Sequence, residues 1–162
     1  KEKEDFLEVG CGNGAVSKYI AKKYLLNITG VDKDPEQNKL AQESIEDIPS
    51  IHFLEVDATN LPFQDNDFDI VLSFGVMHHV SKWLDALGEI RRVLKPKGYF
   101  IYADIIFTGL IAKLGRSFKH SYGITTMNDL NLFIQENGFS MLYASMTNAL
   151  VWHHYEAVYQ RN

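Results

Sequence analysis

Short, uniformly apolar runs alternate along this chain with longer stretches whose apolar positions recur every three or four residues. Phe6 to Val9 is apolar apart from Glu8 and ends in glycines, the pattern of a buried strand closing in a tight turn. Asn13 to Leu26 places Val16, Tyr19, Ile20 and Tyr24 at helical spacing, with Lys18, Lys22 and Lys23 on the other side. Ile28 to Val31 is a second short strand. Asp34 and Pro35 supply a cap and a first-turn residue, predicting a helix that runs to about Ile48 and stops before Pro49. Ile51 to Val56 is a third strand, and the polar Leu61 to Asp67 stretch reads as an irregular loop.

Phe68 to Phe74 is the most uniformly apolar run and predicts a central strand buried on both faces. Ser81 to Leu94 carries one stripe of Trp83, Leu87, Ile90 and Leu94, so it is a helix. Lys95 to Gly98 then turns the chain into a fifth strand, Tyr99 to Ile106. Five such strand–helix alternations predict a parallel sheet, because parallel neighbours require crossover connections. Thr125 to Asn137 is a capped helix stopped by Gly138. Phe139 to Thr147 and Leu150 to Tyr159 follow as two strands with a link too short for a crossover, so they form an antiparallel hairpin at one edge. Thr108 to Ile124 has no clean period and reads as a loop or short helix above the sheet. The expected fold is α/β, a doubly wound mostly parallel sheet with an antiparallel C-terminal hairpin.

Composition narrows the possible functions. The 162 residues suit one domain, and 46% hydrophobic content with 23% charged residues excludes a disordered chain. A net charge of −5 argues against nucleic acid as the principal partner. The single cysteine, Cys11, excludes a disulfide framework and a cysteine zinc site. No apolar run approaches 18 residues, so a cytoplasmic protein that does not cross a membrane is expected.

The chemistry concentrates in the first turn, Glu8-Val9-Gly10-Cys11-Gly12-Asn13-Gly14. Gly10, Gly12 and Gly14 fall where strand gives way to helix; there, residues without a Cβ allow positive φ and close approach of a ligand. The competing reading is a tight turn with no ligand. Asp32, 18 residues after Gly14 at the end of the second strand, stands where doubly wound folds hold ribose hydroxyls. The spacing Gly-x-Gly-x-Gly departs from the Gly-x-Gly-x-x-Gly of pyrophosphate binding and disfavours a dinucleotide.

LEVGCGNG (Leu7–Gly14), GVDKDPE (Gly30–Glu36), VDATNLPF (Val56–Phe63), FDIVLSFGVMHHV (Phe68–Val80) and LKPKGYF (Leu94–Phe100) resemble, in order, the motifs of class I S-adenosylmethionine-dependent methyltransferases, type 11 group. The resemblance implies a Rossmann-like seven-stranded sheet with a reversed last strand, and S-adenosyl-L-methionine as cofactor. It implies that Glu8, Gly10, Cys11, Gly12 and Gly14 surround the methionine moiety and ribose, that Asp32 holds the ribose hydroxyls, and that Lys33 flanks the adenine. Asp57 and the Ala58 amide would meet the adenine, with Phe74 and Gly75 lining the methionine side. It also implies a lid helix before the first strand, for which the residues ahead of Phe6 leave no room.

His78 and His79 follow the fourth strand at the edge where α/β ligands bind, and are candidates for removing or orienting an acceptor proton; packing is the alternative. Tyr122, with His120, is a candidate substrate contact. His153 and His154 are adjacent in a strand and face opposite sides, so no metal is expected. These features predict methyl transfer to a small-molecule acceptor by a monomer or homodimer. A cofactor-binding domain without catalysis, or a nicotinamide-dependent oxidoreductase, are the alternatives.

Overall fold

The structure is a computed structural model that describes residues 3–45, 48–108, 112, 123–148 and 152–162. Seven strands form one sheet: β1 (Glu4–Val9), β2 (Leu26–Asp32), β3 (Ile51–Glu55), β4 (Phe68–Phe74), β5 (Leu94–Phe107), β6 (Phe139–Asn148) and β7 (Trp152–Arg161). Their order is β3-β2-β1-β4-β5-β7-β6. The pairs β1–β2, β2–β3, β1–β4 and β4–β5 are parallel, whereas β7 runs antiparallel to both β5 and β6. This is the doubly wound sheet with a C-terminal hairpin that the pattern predicts.

The central strands are the apolar runs. Leu7, Val9 and Val71 have no exposed surface, because helices cover β1 and β4 on both faces. On one face α3 (Trp83–Val93) and α4 (Met127–Glu136) pack Leu87, Ile90, Leu130 and Ile134 against Phe100, Tyr102 and Tyr159. On the other, α1 (Ala15–Lys23) and α2 (Pro35–Glu43) bring Val16, Ile20 and Ala41 to Phe6, Ile28 and Phe53.

Helix starts follow their caps. Asp34 accepts from the amides of Glu36 and Gln37 ahead of α2, and Thr126 and Asp129 close a reciprocal capping box at α4. Helix ends differ from the periodicity. α2 stops at Glu43, where Ser44 bonds back to Ala41, instead of running to Ile48. β5 begins at Leu94, opposite Phe68, so the expected turn at Lys95 to Gly98 is an irregularity within a strand. Lys97 takes φ +64 there, and the register shifts before Ile70 meets Tyr99. Thr108 belongs to the description, but most of the segment expected to overhang the sheet, with Phe118, His120 and Tyr122, lies outside it.

Candidate functional site

All five parallel strands deliver their carboxyl ends to one edge, and the loops there surround a cleft of about 720 Å³. The first loop is built by its glycines, each in the left-handed region: Gly10 at φ +72, Gly12 at +51 and Gly14 at +74. Their roles separate. A Cβ on Gly10 would sit 2.3 Å from Val76, and one on Gly14 would sit 2.3 Å from the Phe53 ring, so these two are glycine for packing. A Cβ on Gly12 would meet only Gln37 Oε1, at 3.7 Å. Packing therefore leaves room for a side chain at Gly12, and its left-handed φ is what calls for glycine there.

Asp32, at the end of β2, accepts from the Gly12 amide at 2.9 Å and from the Asp34 amide at 3.0 Å. It lines the cleft with Lys33, and so do Asp57 and Ala58 from the loop after β3. The Thr59 amide and hydroxyl both donate to Oδ1 of Asp57, at 2.8 and 2.7 Å, and these bonds hold its carboxyl below the usual carboxylate range. Among the described residues Oδ2 of Asp57 has no such partner. Gly75, at φ +69 with nothing near its missing Cβ, and His79 close the far wall. Phe74 is 54% exposed beside them.

Glu8 and Cys11 lie behind the loop. Glu8 is 3% exposed and accepts the Ser17 hydroxyl at 2.5 Å. Burial pushes its pKa up to about 7 against the pull of that bond. Cys11 is likewise buried, and its thiol donates weakly to the Gly12 carbonyl.

The two histidines, indistinguishable as neighbours in sequence, diverge. They occupy a short 3-10 turn, Met77–His79, after β4. His79 faces the cleft, where desolvation and the neighbouring His78 push its pKa below the ordinary imidazole value. His78 turns the other way, and its Nδ1 lies 2.5 Å from Oδ1 of Asp104 on β5. Sequence reasoning missed Asp104, although an acid inside the apolar run Tyr102-Ala103-Asp104-Ile105-Ile106 was a visible signal. It also missed three residues that line the cleft: Gln37 and Lys82, just outside the motifs, and Thr59, within one. Among the described residues no cluster of three or more His, Cys, Asp or Glu side chains could hold a metal, and no helix is long and apolar enough to cross a membrane.

With this geometry in place, comparison with known proteins defines the class. Residues 7–102, well over half of the chain, match the family described as "Methyltransferase domain", type 11. The chain belongs to that family, a group of S-adenosylmethionine-dependent methyltransferases of Rossmann-like fold. It is 38% identical over 100 residues to the "Probable phthiotriol/phenolphthiotriol dimycocerosates methyltransferase 2" of Mycobacterium ulcerans (strain Agy99). That alignment covers 61% of this chain and 38% of the relative, so the chain spans well under half the length of the curated relative.

Among solved structures, a putative sarcosine dimethylglycine methyltransferase from Galdieria sulphuraria superposes with TM-score 0.86 at 16% identity, covering 99% of this chain and 78% of that one. The [4+2]-cyclase SpnF superposes with TM-score 0.84 at 18% identity, covering 99% and 75%. At such identity these two likenesses establish the fold alone.

Proposed function

We propose that this chain binds S-adenosylmethionine in the cleft and moves its methyl group to a small-molecule acceptor. The observation that carries the reading is the cleft itself, where Asp32 from the end of β2 and Asp57 from the loop after β3 stand together beside Gly10 of the glycine loop. Asp32 has lone pairs left for vicinal ribose hydroxyls, with Lys33 beside the adenine. Asp57 offers Oδ2 to the adenine amino group, and Ala58 its amide to a ring nitrogen. Gly10, Gly14, Glu8 and Cys11 support the loop from behind, while Phe74 and Gly75 border the reacting end. Tyr122 remains a proposed acceptor contact.

Bound there, S-adenosylmethionine supplies an already activated methyl group for in-line displacement. What remains for the protein is to align an acceptor and exclude water. The acidic balance of the chain and the aromatic residues Phe107, Phe118 and Tyr122 favour a small molecule over nucleic acid. We place the protein in the cytoplasm as a monomer or homodimer.

A second reading is that the cleft binds the cofactor without transferring its methyl group, because the motifs of the chain all concern binding. Calorimetric titration of the full chain with S-adenosylmethionine and with NAD, followed by methyl-transfer assays on a metabolite panel, tests both. Binding of S-adenosylmethionine with methylated product supports the proposal. Tighter binding of NAD overturns it, and cofactor binding without any product favours the second reading.

A further inference from the structure

We infer that Asp104 is a positioning residue of the cofactor cleft: from β5 it fixes the turn that carries the cleft's far wall. The inference rests on the S-adenosylmethionine reading above and adds to it a residue that does not itself line the cleft.

The far wall is one continuous stretch of chain after β4. Gly75, Val76, His79 and Val80 line the cleft, whereas Met77 and His78, which join the two pairs, do not. Met77 has no exposed surface and belongs to the apolar core with Leu87 and Ile90. Whatever holds Met77 and His78 therefore determines where both cleft-lining pairs stand.

Asp104 holds them both. The Met77 amide donates to Oδ2 at 2.6 Å, and Nδ1 of His78 lies 2.5 Å from Oδ1. The Ile105 amide also donates to Oδ1, at 2.6 Å. Asp104 is 1% exposed in the run Tyr102-Ala103-Asp104-Ile105-Ile106, where an acid without partners would be costly, and these contacts satisfy it. The turn has a matching need. The amides that open a helical turn find no acceptor within it, and Val76 ahead of it supplies no side-chain cap. Asp104 is that cap, delivered from a strand 27 residues away.

The consequence reaches the glycine loop. Gly10 packs on Val76, so closely that a Cβ on Gly10 would overlap the valine side chain. A displaced turn therefore moves Val76 against the loop, and moves His79 and Val80 relative to Asp32 and Asp57 in the same cleft. The turn is braced from a second side as well. There the Gly123 amide donates to the His78 carbonyl at 3.0 Å, and a Cβ on Gly123 would overlap the Met77 carbonyl oxygen.

Three variants of the full chain test this, each titrated well below its own melting transition so that lost stability alone cannot change the result. Asp104→Leu keeps the bulk and offers no acceptor; it should weaken S-adenosylmethionine binding by at least about tenfold. Asp104→Asn keeps one acceptor oxygen for the Met77 amide and should recover part of that affinity. Gly123→Ala leaves Asp104 untouched, pushes on the same turn from its other side, and should also weaken binding. Amide hydrogen exchange supplies a readout that needs no cofactor: the Met77 amide should exchange slowly in the parent and faster in Asp104→Leu, with the β1 amides still protected. A folded Asp104→Leu that binds as the parent does overturns the inference. If that variant does not fold, parental affinity in both of the others overturns it. Unchanged Met77 exchange in a folded Asp104→Leu overturns it whether or not the cofactor binds. Failure of the parent chain to bind S-adenosylmethionine overturns the underlying function instead.

Discussion

Oδ2 of Asp32 accepts the backbone N–H of Gly12 at 2.9 Å. The acid proposed to grip the ribose is thus also the fastener of the loop on which the cofactor would lie. A single substitution there removes two things, the ligand's acceptor and the loop's tether. Asp32→Ala should weaken S-adenosylmethionine binding by at least about tenfold, the equivalent of 1.4 kcal/mol. Asp32→Asn should fall between, since its amide keeps one acceptor. Asp57→Ala should cost least, because it offers one neutral contact. Calorimetric dissociation constants for variants with parental melting temperatures check the order.

Gly12 and Gly14 should fail in different ways. Gly12→Val enters open space, so beyond the roughly 1–2 kcal/mol of left-handed strain the fold should survive and binding should vanish. Gly14→Ala drives its Cβ to within 2.3 Å of the Phe53 ring and should lower the melting temperature by more. Adding Phe53→Leu should recover part of that loss. Melting curves paired with titrations separate the two; a Gly12→Val protein that binds normally would make the loop merely structural.

Glu8 makes stability depend on pH with a particular sign. Its carboxyl titrates near 7 in the folded chain and near 4.5 when unfolded, so between those values the folded form holds more protons. Stability should fall as pH rises from about 4.5 to about 7 and be level above. Glu8→Gln keeps the group neutral and the Ser17 contact intact. It should flatten this slope and stabilise the chain at pH 8 by up to about 3 kcal/mol. Denaturant titrations at pH 5, 6, 7 and 8 read the difference.

Cys11 should be inert. Burial, with Glu8 and Asp32 nearby, pushes its thiol up to about 12, so almost no thiolate exists at neutral pH. A thiol reagent such as DTNB should leave the native chain unlabelled for hours and react at once in guanidinium chloride. Fast native labelling would mean that the glycine loop opens.

The parts legible in sequence were those that a local pattern determines. Phe68 to Phe74 announced a central strand because both of its faces are buried, and the short link after Thr147 announced a reversed strand because no crossover fits. The glycine loop and Asp32 stood at positions that strand ends define, whereas Asp57 came only with the family resemblance. What escaped depended on partners distant in sequence. Ser17 satisfies Glu8 from the next helix, and Asp104 reaches His78 only because β4 and β5 are neighbours. Nothing local distinguishes His78 from His79. Helix ends escaped for a related reason: apolar spacing continued past Glu43, but the backbone turned at Ser44.

The strand order has a consequence for how the chain is made. β7 comes last in sequence yet lies between β5 and β6, pairing with both. On the ribosome, β6 therefore emerges before the strand that links it to the rest of the sheet. Met141, Leu142, Tyr143 and Met146, about half exposed even in the finished fold, then sit on a strand with open backbone groups on both sides. That interval is when a nascent chain is most prone to pair with the wrong neighbour. Synthesis of β7 ends it, and a ribosome stalled before Trp152 would hold the chain in its most aggregation-prone form.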